Sequence, residues 1–308
     1  MEKYSVIIPV YNTANKLEDL FRAIDQFFNG HLLAYELIFI NDGSSNPKTI
    51  EVLNALALKY PTVKTINLRK NYGQHAATLC GLAHSKGNYI ITMDDDWQHN
   101  PNDIKELIKL KNHDIVLARF ENKKHSGKQL LLGKIKNKLD EYLLGKPSNL
   151  QLSSFRLIKK EVAESILQIS TPYPYFPSLM FLVTNDIVNA SISHNQRTEG
   201  KSGYTWKSIL KLTFNLLFNN STLLLKAMTL IGFSTALICF GVMVFFIFKK
   251  LLYNIEVTGW TSLFVLVSGT GGIILAALGI IGEYLVRLLA GIEKRPAYFI
   301  KEILKHDR

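Results

Sequence analysis

Short apolar runs alternate with helix-spaced segments over the first 120 residues. Residues 5–11 (SVIIPVY) read as a buried strand, and residues 14–28 repeat their apolar side chains at helical intervals. Further strands are predicted at 36–42 (ELIFIND), 63–68 (VKTINL), 88–96 (NYIITMDDD) and 114–119 (DIVLAR). Helical stretches at 47–60, 74–84 and 102–111 lie between them. Such alternation predicts an α/β domain with a Rossmann-like, mostly parallel sheet, whose ligands sit at the carboxyl ends of the strands. The polar and glycine residues of this sequence fall at those ends.

The pattern changes farther along. Residues 121–150 are basic and polar and read as a loop followed by a helix; residues 151–195 read as a return to the sheet, with a proline-rich turn at TPYPYFP. Residues 204–223 place Trp206, Ile209, Leu210, Leu212, Phe214, Leu217 and Phe218 beside Lys207 and Lys211, the pattern of a helix lying in a membrane interface. Residues 227–248 and 258–282 carry no charged side chain, and each run exceeds the roughly 20 residues that cross a bilayer. The expected organisation is therefore a catalytic domain over 1–203, an interfacial helix over 204–223, a two-span region over 224–286 and a basic tail over 287–308. Lysines and arginines before the first span and after the second put both flanks in the cytoplasm. Lys249 and Lys250 count the other way and are outnumbered. The N-terminus enters an apolar strand within four residues, too short a run for a signal peptide, so the first domain is expected to stay in the cytoplasm.

The net charge of +11 suits an anionic partner: nucleic acid, acidic lipid headgroups or a phosphorylated substrate. The two cysteines, Cys80 and Cys239, form no CxxC pair and suggest neither a zinc site nor a disulfide framework.

The chemistry concentrates in Asp94-Asp95-Asp96-Trp97-Gln98, directly after an apolar strand. If the strand stays extended, Asp94 and Asp96 share one side and Asp95 takes the other. Two carboxylates with the Gln98 amide oxygen form a hard oxygen site suited to Mg²⁺ or Mn²⁺, completed by water and substrate phosphates. An acidic loop with only capping duties is the plain alternative. Asn41-Asp42-Gly43-Ser44-Ser45 fits a tight Asx-type turn, and Asp42 could equally accept hydrogen bonds from a nucleotide base or ribose. His75 and His99 flank these loops and are assigned no role. Arg156 either reaches the site or forms a structural salt bridge.

VIIPVYN, NDGSS, NYGQHAATLCGL and MDDDWQHNP, in this order, resemble the family 2 glycosyltransferases of GT-A fold. SSFRLIKKEV, QRTEGKSGYTWKSILKL, the two apolar runs and LGIIGEYLVRLLAGIEKRPAYFI extend the likeness to the polyprenyl-phosphate glycosyltransferases, including bacterial undecaprenyl-phosphate sugar transferases and dolichyl-phosphate mannose synthases. The resemblance implies a metal and diphosphate site at Asp94, Asp96 and Gln98, and nucleotide-binding positions at Pro9, Tyr11 and Asp42. It implies an acceptor-phosphate arginine at Arg119, with Lys128 a further candidate, and a donor-closing motif at Arg197 and Ser202. Asp96, Arg119 and Arg197 are the catalytic candidates. Asp95 stands where relatives usually carry a small residue, and the QxxRW motif of processive synthases is missing, which disfavours polymer synthesis.

A phosphate acceptor also makes chemical sense. A hydroxyl nucleophile needs a positioned base, whereas a phosphate monoester is already anionic and needs only cations to hold it. The expected activity is inverting transfer of one sugar from a nucleoside-diphosphate sugar to polyprenyl phosphate at the cytoplasmic face of the inner membrane. No nucleic-acid partner is expected, and assembly into a homo-oligomer is left open. The rival readings are a non-catalytic nucleotide-binding scaffold and a transferase acting on a glycan hydroxyl.

Overall fold

The first apolar run becomes β1 (Lys3–Val10), and its neighbours β2 (Ala34–Asn41), β3 (Val63–Leu68) and β4 (Tyr89–Thr92) lie parallel to it or to one another. The structure, a computed structural model, describes residues 2–121, 145–171, 173–193, 259–292 and 296–306, with isolated positions at 138, 141 and between 230 and 252. These strands read as unbroken apolar runs because both their faces are buried. On β1 and β2, Val6, Ile8, Val10, Leu37 and Phe39 enter one core layer, and Ile7, Ile38 and Ile40 enter the other.

Helices fill the connections. α1 (Leu17–Gly30) buries Leu17, Leu20, Phe21, Ile24, Phe27 and Phe28, a stripe at three- and four-residue spacing. Each such side chain contributes roughly 1.5–3 kcal/mol when fully buried. α2 (Pro47–Lys59) starts with Pro47 in its first turn, and the Asn46 side chain accepts from Lys48 N. α3 (Gln74–Ala83) packs so closely on β1 that a Cβ at Gly81 would run into Ile7. A short 3-10 turn and α4 (Ile104–Lys109) lead to β5 (Ile115–Glu121).

The chain then returns to the sheet, as expected, through β6 (Arg156–Lys159), α5 (Lys160–Leu167), α6 (Phe176–Val183) and β7 (Ile187–Ser193). The full order is β7-β5-β6-β4-β1-β2-β3-β8. β6 runs antiparallel between β4 and β5, so the sheet is mixed though mostly parallel.

Two features depart from the sequence reading. β4 ends at Thr92, and residues 95–99 form a bend, with Trp97 in the left-handed region at φ 63°. The acids therefore do not continue an extended strand. The second departure concerns the expected tail over 287–308. α7 (Trp260–Ile292) continues to 292, and β8 (Ile300–Lys305) pairs antiparallel with β3 as the edge strand of the catalytic sheet. Residues 1–205 and 294–308 form one compact unit, and residues 206–293 form another.

α7 holds 33 residues and exposes Ile274, Leu278, Ile281, Leu285, Val286 and Leu288. At 1.5 Å per residue it is about 50 Å long, more than the roughly 30 Å apolar depth of a bilayer. Among the described residues it is the one helix long and apolar enough to cross a membrane, and it covers residues 260–282 of the second expected span. The described positions of the first expected span are helical, but half of that run, the whole segment 204–223 and most of 121–144 lie outside the described residues.

Candidate active site

Four loops converge where β1, β2, β3 and β4 end. The loop after β1 turns at Asn12, with φ 58°. The Asn12 backbone amide donates to Ser44 Oγ at 2.9 Å, and its side-chain Oδ1 accepts from Ser45 N at 2.9 Å and Asn46 N at 3.1 Å. One asparagine thus ties the β1 loop to the DGSS loop after β2. Gly43, at φ 65°, lies against Lys70 and Asn71, and a Cβ there would come within 2.6 Å of Asn71 N. Only glycine suits that backbone shape and that approach.

Asp42 is 3% exposed. Its two oxygens accept from Tyr72 N at 2.7 Å and Gly73 N at 2.8 Å. Burial pushes its carboxyl above the usual range, against the pull of those amides. Asp42 therefore fixes the loop that precedes α3, a holding role that the plain Asx-turn reading did not include. Pro9 is half-buried on β1, and Tyr11 is 50% exposed just beyond that strand, an open aromatic face.

The acids after β4 have separate partners. Asp94 Oδ1 accepts from Gln74 Nε2 at 2.6 Å, and Oδ2 accepts from Ser154 Oγ at 2.6 Å. Its backbone amide donates to His99 Nδ1 at 3.0 Å. That bond requires a neutral ring with the proton on Nε2. His99 is buried between the rings of Phe120 and Phe155, stacked with both. Asp96 Oδ1 accepts from Gln98 N at 3.1 Å. Asp95 turns to the Thr13 hydroxyl; burial pushes it up to about 6, with Asp94 and Asp96 adding to the rise. Each of the three acids thus has its own partners within the bend, where strand alternation does not apply. Trp97 Nε1 donates to Lys16 O at 3.3 Å, and Lys16 is itself left-handed at φ 72°. Among the described residues, three of the four non-glycine residues with positive φ thus cluster at these loops, where strained backbone commonly marks function.

Register places Arg119. Thr92 pairs with Arg156, which pairs with Leu117. Arg119 stands two residues beyond Leu117 on β5, where it pairs with Ser191 of β7. The preceding residue, Ala118, donates its amide to Phe155 O at 2.9 Å, next in sequence to the Ser154 that bonds Asp94, so β5 carries Arg119 to the same end of the sheet. Arg119 is exposed. Arg156 is buried: its guanidinium sits 4.5 Å from the Phe176 ring centroid, and Nε donates to Ser154 O at 3.3 Å. Among the described residues it meets no carboxylate at ion-pair distance, so the expected salt bridge is replaced by an aromatic face. Burial pulls Arg156 down to about 10, opposed by Asp94 and Tyr175.

Lys128, Arg197 and Ser202 lie outside the described residues. Sequence reasoning passed over Gln74, Ser154 and Asn12, although Gln74 and Ser154 stand inside the quoted motifs NYGQH and SSFR. A polar residue opening a helix beside an acidic loop was the available signal.

The donor set suits a divalent cation. Among the described residues no three His, Cys, Asp or Glu side chains form a cage of their own. Two carboxylates oriented by protein donors match a hard cation that keeps part of its shell for water and phosphate. Asp94, Asp96 and Gln98 could hold such an ion, which would neutralise charge on a departing diphosphate.

A mixed α/β sheet with paired carboxylates after its fourth strand and a glycine-containing loop after its second is the layout of a GT-A nucleotide-sugar transferase. Residues 5–167 match the Glycosyl transferase family 2 profile. The chain belongs to that family and is a glycosyltransferase. Solved structures of glucosyl-3-phosphoglycerate synthase from Mycobacterium tuberculosis share the fold. The complex with Mn²⁺, UDP-glucose and phosphoglyceric acid aligns with TM-score 0.52 and 15% identity, over 70% of this chain and 78% of that one. The complex with UDP aligns with TM-score 0.52 and 14% identity over the same shares. At these identities the likeness is one of fold.

Proposed function

We propose that the protein transfers a single sugar from a nucleoside-diphosphate sugar to a polyprenyl phosphate, undecaprenyl phosphate in a bacterial setting, with inversion, at the cytoplasmic face of a membrane. Pro9, Tyr11 and Asp42 frame the nucleoside, with the exposed Tyr11 ring offering a stacking surface. Asp94, Asp96 and Gln98 hold Mg²⁺ or Mn²⁺ at the diphosphate, and Arg197 and Ser202 close over the donor. Arg119, with Lys128, holds the acceptor phosphate, whose oxygen attacks the anomeric carbon as the diphosphate departs. The Mycobacterium tuberculosis synthase, solved with Mn²⁺, UDP-glucose and phosphoglyceric acid, offers a precedent on this fold for a metal, a uridine donor and a phosphate-bearing acceptor.

The observation that carries the lipid acceptor is the apolar excursion. The chain leaves the catalytic unit after Thr205 and rejoins it at Lys294, and between them lies the 33-residue helix with its exposed apolar surface. Because both ends belong to one folded unit, any crossing of a bilayer must be even in number. Two spans, near 227–248 and 258–282, satisfy that condition without any reference to flanking charge.

The test offers detergent-solubilised full-length protein a panel of sugar nucleotides with Mn²⁺ or Mg²⁺, and either a short polyprenyl phosphate or 3-phosphoglycerate. Transfer to the lipid phosphate is expected. Transfer to phosphoglycerate alone would overturn the lipid assignment while leaving the family intact.

A further inference from the structure

The returning strand β8 touches the donor site through two routes. The first is a line of side-chain amides. Asn67 Nδ2 on β3 donates to Glu302 Oε1 at 3.0 Å, and Asn41 Nδ2 on β2 donates to Asn67 Oδ1 at 2.7 Å. Asn41 Oδ1 in turn accepts from Ser44 N at 3.0 Å, and Ser44 Oγ accepts from Asn12 N at 2.9 Å. A chain of hydrogen bonds therefore runs from the edge strand across β3 and β2 into the two loops that carry Tyr11 and Asp42.

The second route runs through the loop after β3. Arg69 N donates to Phe299 O at 2.9 Å, and the Phe299 and Tyr72 rings lie 6.4 Å apart. The Tyr298 hydroxyl contacts the Cys80 thiol on α3, and burial pushes both groups up to about 12. Residues 69–73 are thus held from one side by Asp42 and from the other by residues 298–299. The next residue, Gln74, holds Asp94 Oδ1. The pairing of β3 with β8 shifts register between Asn67 and Leu68, where the loop begins, so the edge strand follows the turn instead of running past it.

We infer that Glu302 and Phe299 are positioning residues of the donor site: Glu302 acts through Asn67 and Asn41 on the loops that carry Tyr11 and Asp42, and Phe299 sets residues 69–73 and, through them, Gln74. This rests on the proposed function, because it assigns those loops to the donor. The strand that rejoins the sheet after the apolar segment is therefore part of the sugar-nucleotide site. A catalytic domain cut at residue 203 would lack one wall of its donor loop.

The experiment uses the full-length protein in detergent. Binding of UDP and of GDP in the presence of Mn²⁺ is measured by calorimetry on wild type, Glu302→Leu, Glu302→Gln and Phe299→Ala, beside melting temperature and both apparent KM values. Glu302→Leu and Phe299→Ala should each weaken nucleotide binding and raise donor KM by about fivefold to tenfold, the scale of one lost hydrogen bond or ring contact, with acceptor KM unchanged. Glu302→Gln keeps an oxygen for Asn67 and should bind as wild type does. Lower melting temperatures with unchanged nucleotide affinity would show a merely structural edge strand and overturn the inference. Equal losses in donor and acceptor KM would overturn it as well. Wild-type protein that binds neither nucleotide would overturn the functional reading itself, and this inference with it.

Discussion

Ser154 offers a direct test of the proposed metal site at Asp94. Its hydroxyl donates to Asp94 Oδ2 at 2.6 Å, the short length of a charge-assisted bond. Ser154 is itself fixed, because its carbonyl accepts from Thr92 Oγ1 at 2.6 Å and from Arg156 Nε at 3.3 Å. Ser154→Ala keeps those backbone bonds and removes one donor. A hydrogen bond to a charged group is worth about 1.5–3 kcal/mol. The Asp94 side chain is 27% exposed, so water can take the empty place and part of that loss is recovered. A net cost of about 1–2 kcal/mol remains, or roughly fivefold to thirtyfold in metal affinity, within the range seen when a residue behind a metal ligand is removed. The assay titrates Mn²⁺ against sugar transfer at saturating donor and acceptor. The half-activating concentration should rise by that factor, and kcat at saturating metal should return close to wild type. An unchanged Mn²⁺ requirement would refute the claim that Ser154 orients Asp94. A fall in kcat that no amount of metal restores would mean that the bond serves the reaction in another way. Gln74→Ala removes the donor to the other oxygen, and its combination with Ser154→Ala should be non-additive because both act on one carboxylate.

Asp96→Ala should remove nearly all transfer while leaving the melting temperature close to wild type, and EDTA should do the same reversibly; full activity without added metal would contradict both. Arg119→Ala should raise the acceptor KM by about tenfold to a hundredfold, the scale of one charge-assisted contact, with donor KM steady; the reverse pattern would move Arg119 to the donor site. In protein carrying Cys239→Ser, the Cys80 thiol is buried and pushed up to about 12, so a maleimide at pH 8 should label it only after unfolding. The same shift has a sign for stability: the folded state keeps a proton that the unfolded thiol releases, so stability should fall as pH rises from the ordinary thiol range towards 12, as followed by thermal unfolding.

The central strands were legible because burial on both faces leaves an apolar run that no helix of that length would carry. β8 was not. IKEILK is short, half charged and mostly exposed, so its composition matches a basic tail, and only a partner in space makes it a strand. β6 was hidden in SSFRLIKK for a similar reason: four residues of strand pass directly into helix α5. At the site, the residue types were readable and their partners were not. Asp42 was a fair candidate for a ligand contact, yet its oxygens meet backbone amides 30 residues away, a pairing that no local pattern records. The chemistry at Asp94 and Asp96 was visible because clustered acids after an apolar strand demand a reason. Gln74 and Ser154 are ordinary polar residues until the fold brings them to the same carboxylate.

The placement of β8 also dictates an order of assembly. A ribosome emits β1 to β7 first, then the apolar segment, and only afterwards Ile300–Lys305. Throughout that interval the outer edge of β3 has no strand beside it, and the loop over 69–73 lacks its second support. Among the described strands β8 comes after all the others, so β3 gains its outer partner, and residues 69–73 their second support, only on chains whose apolar segment has already been made. A nascent fragment that stops short of Tyr298 would carry Asp42, Asp94, Asp95 and Asp96 and still lack the contacts that Phe299 and Glu302 make with Arg69, Tyr72 and Asn67.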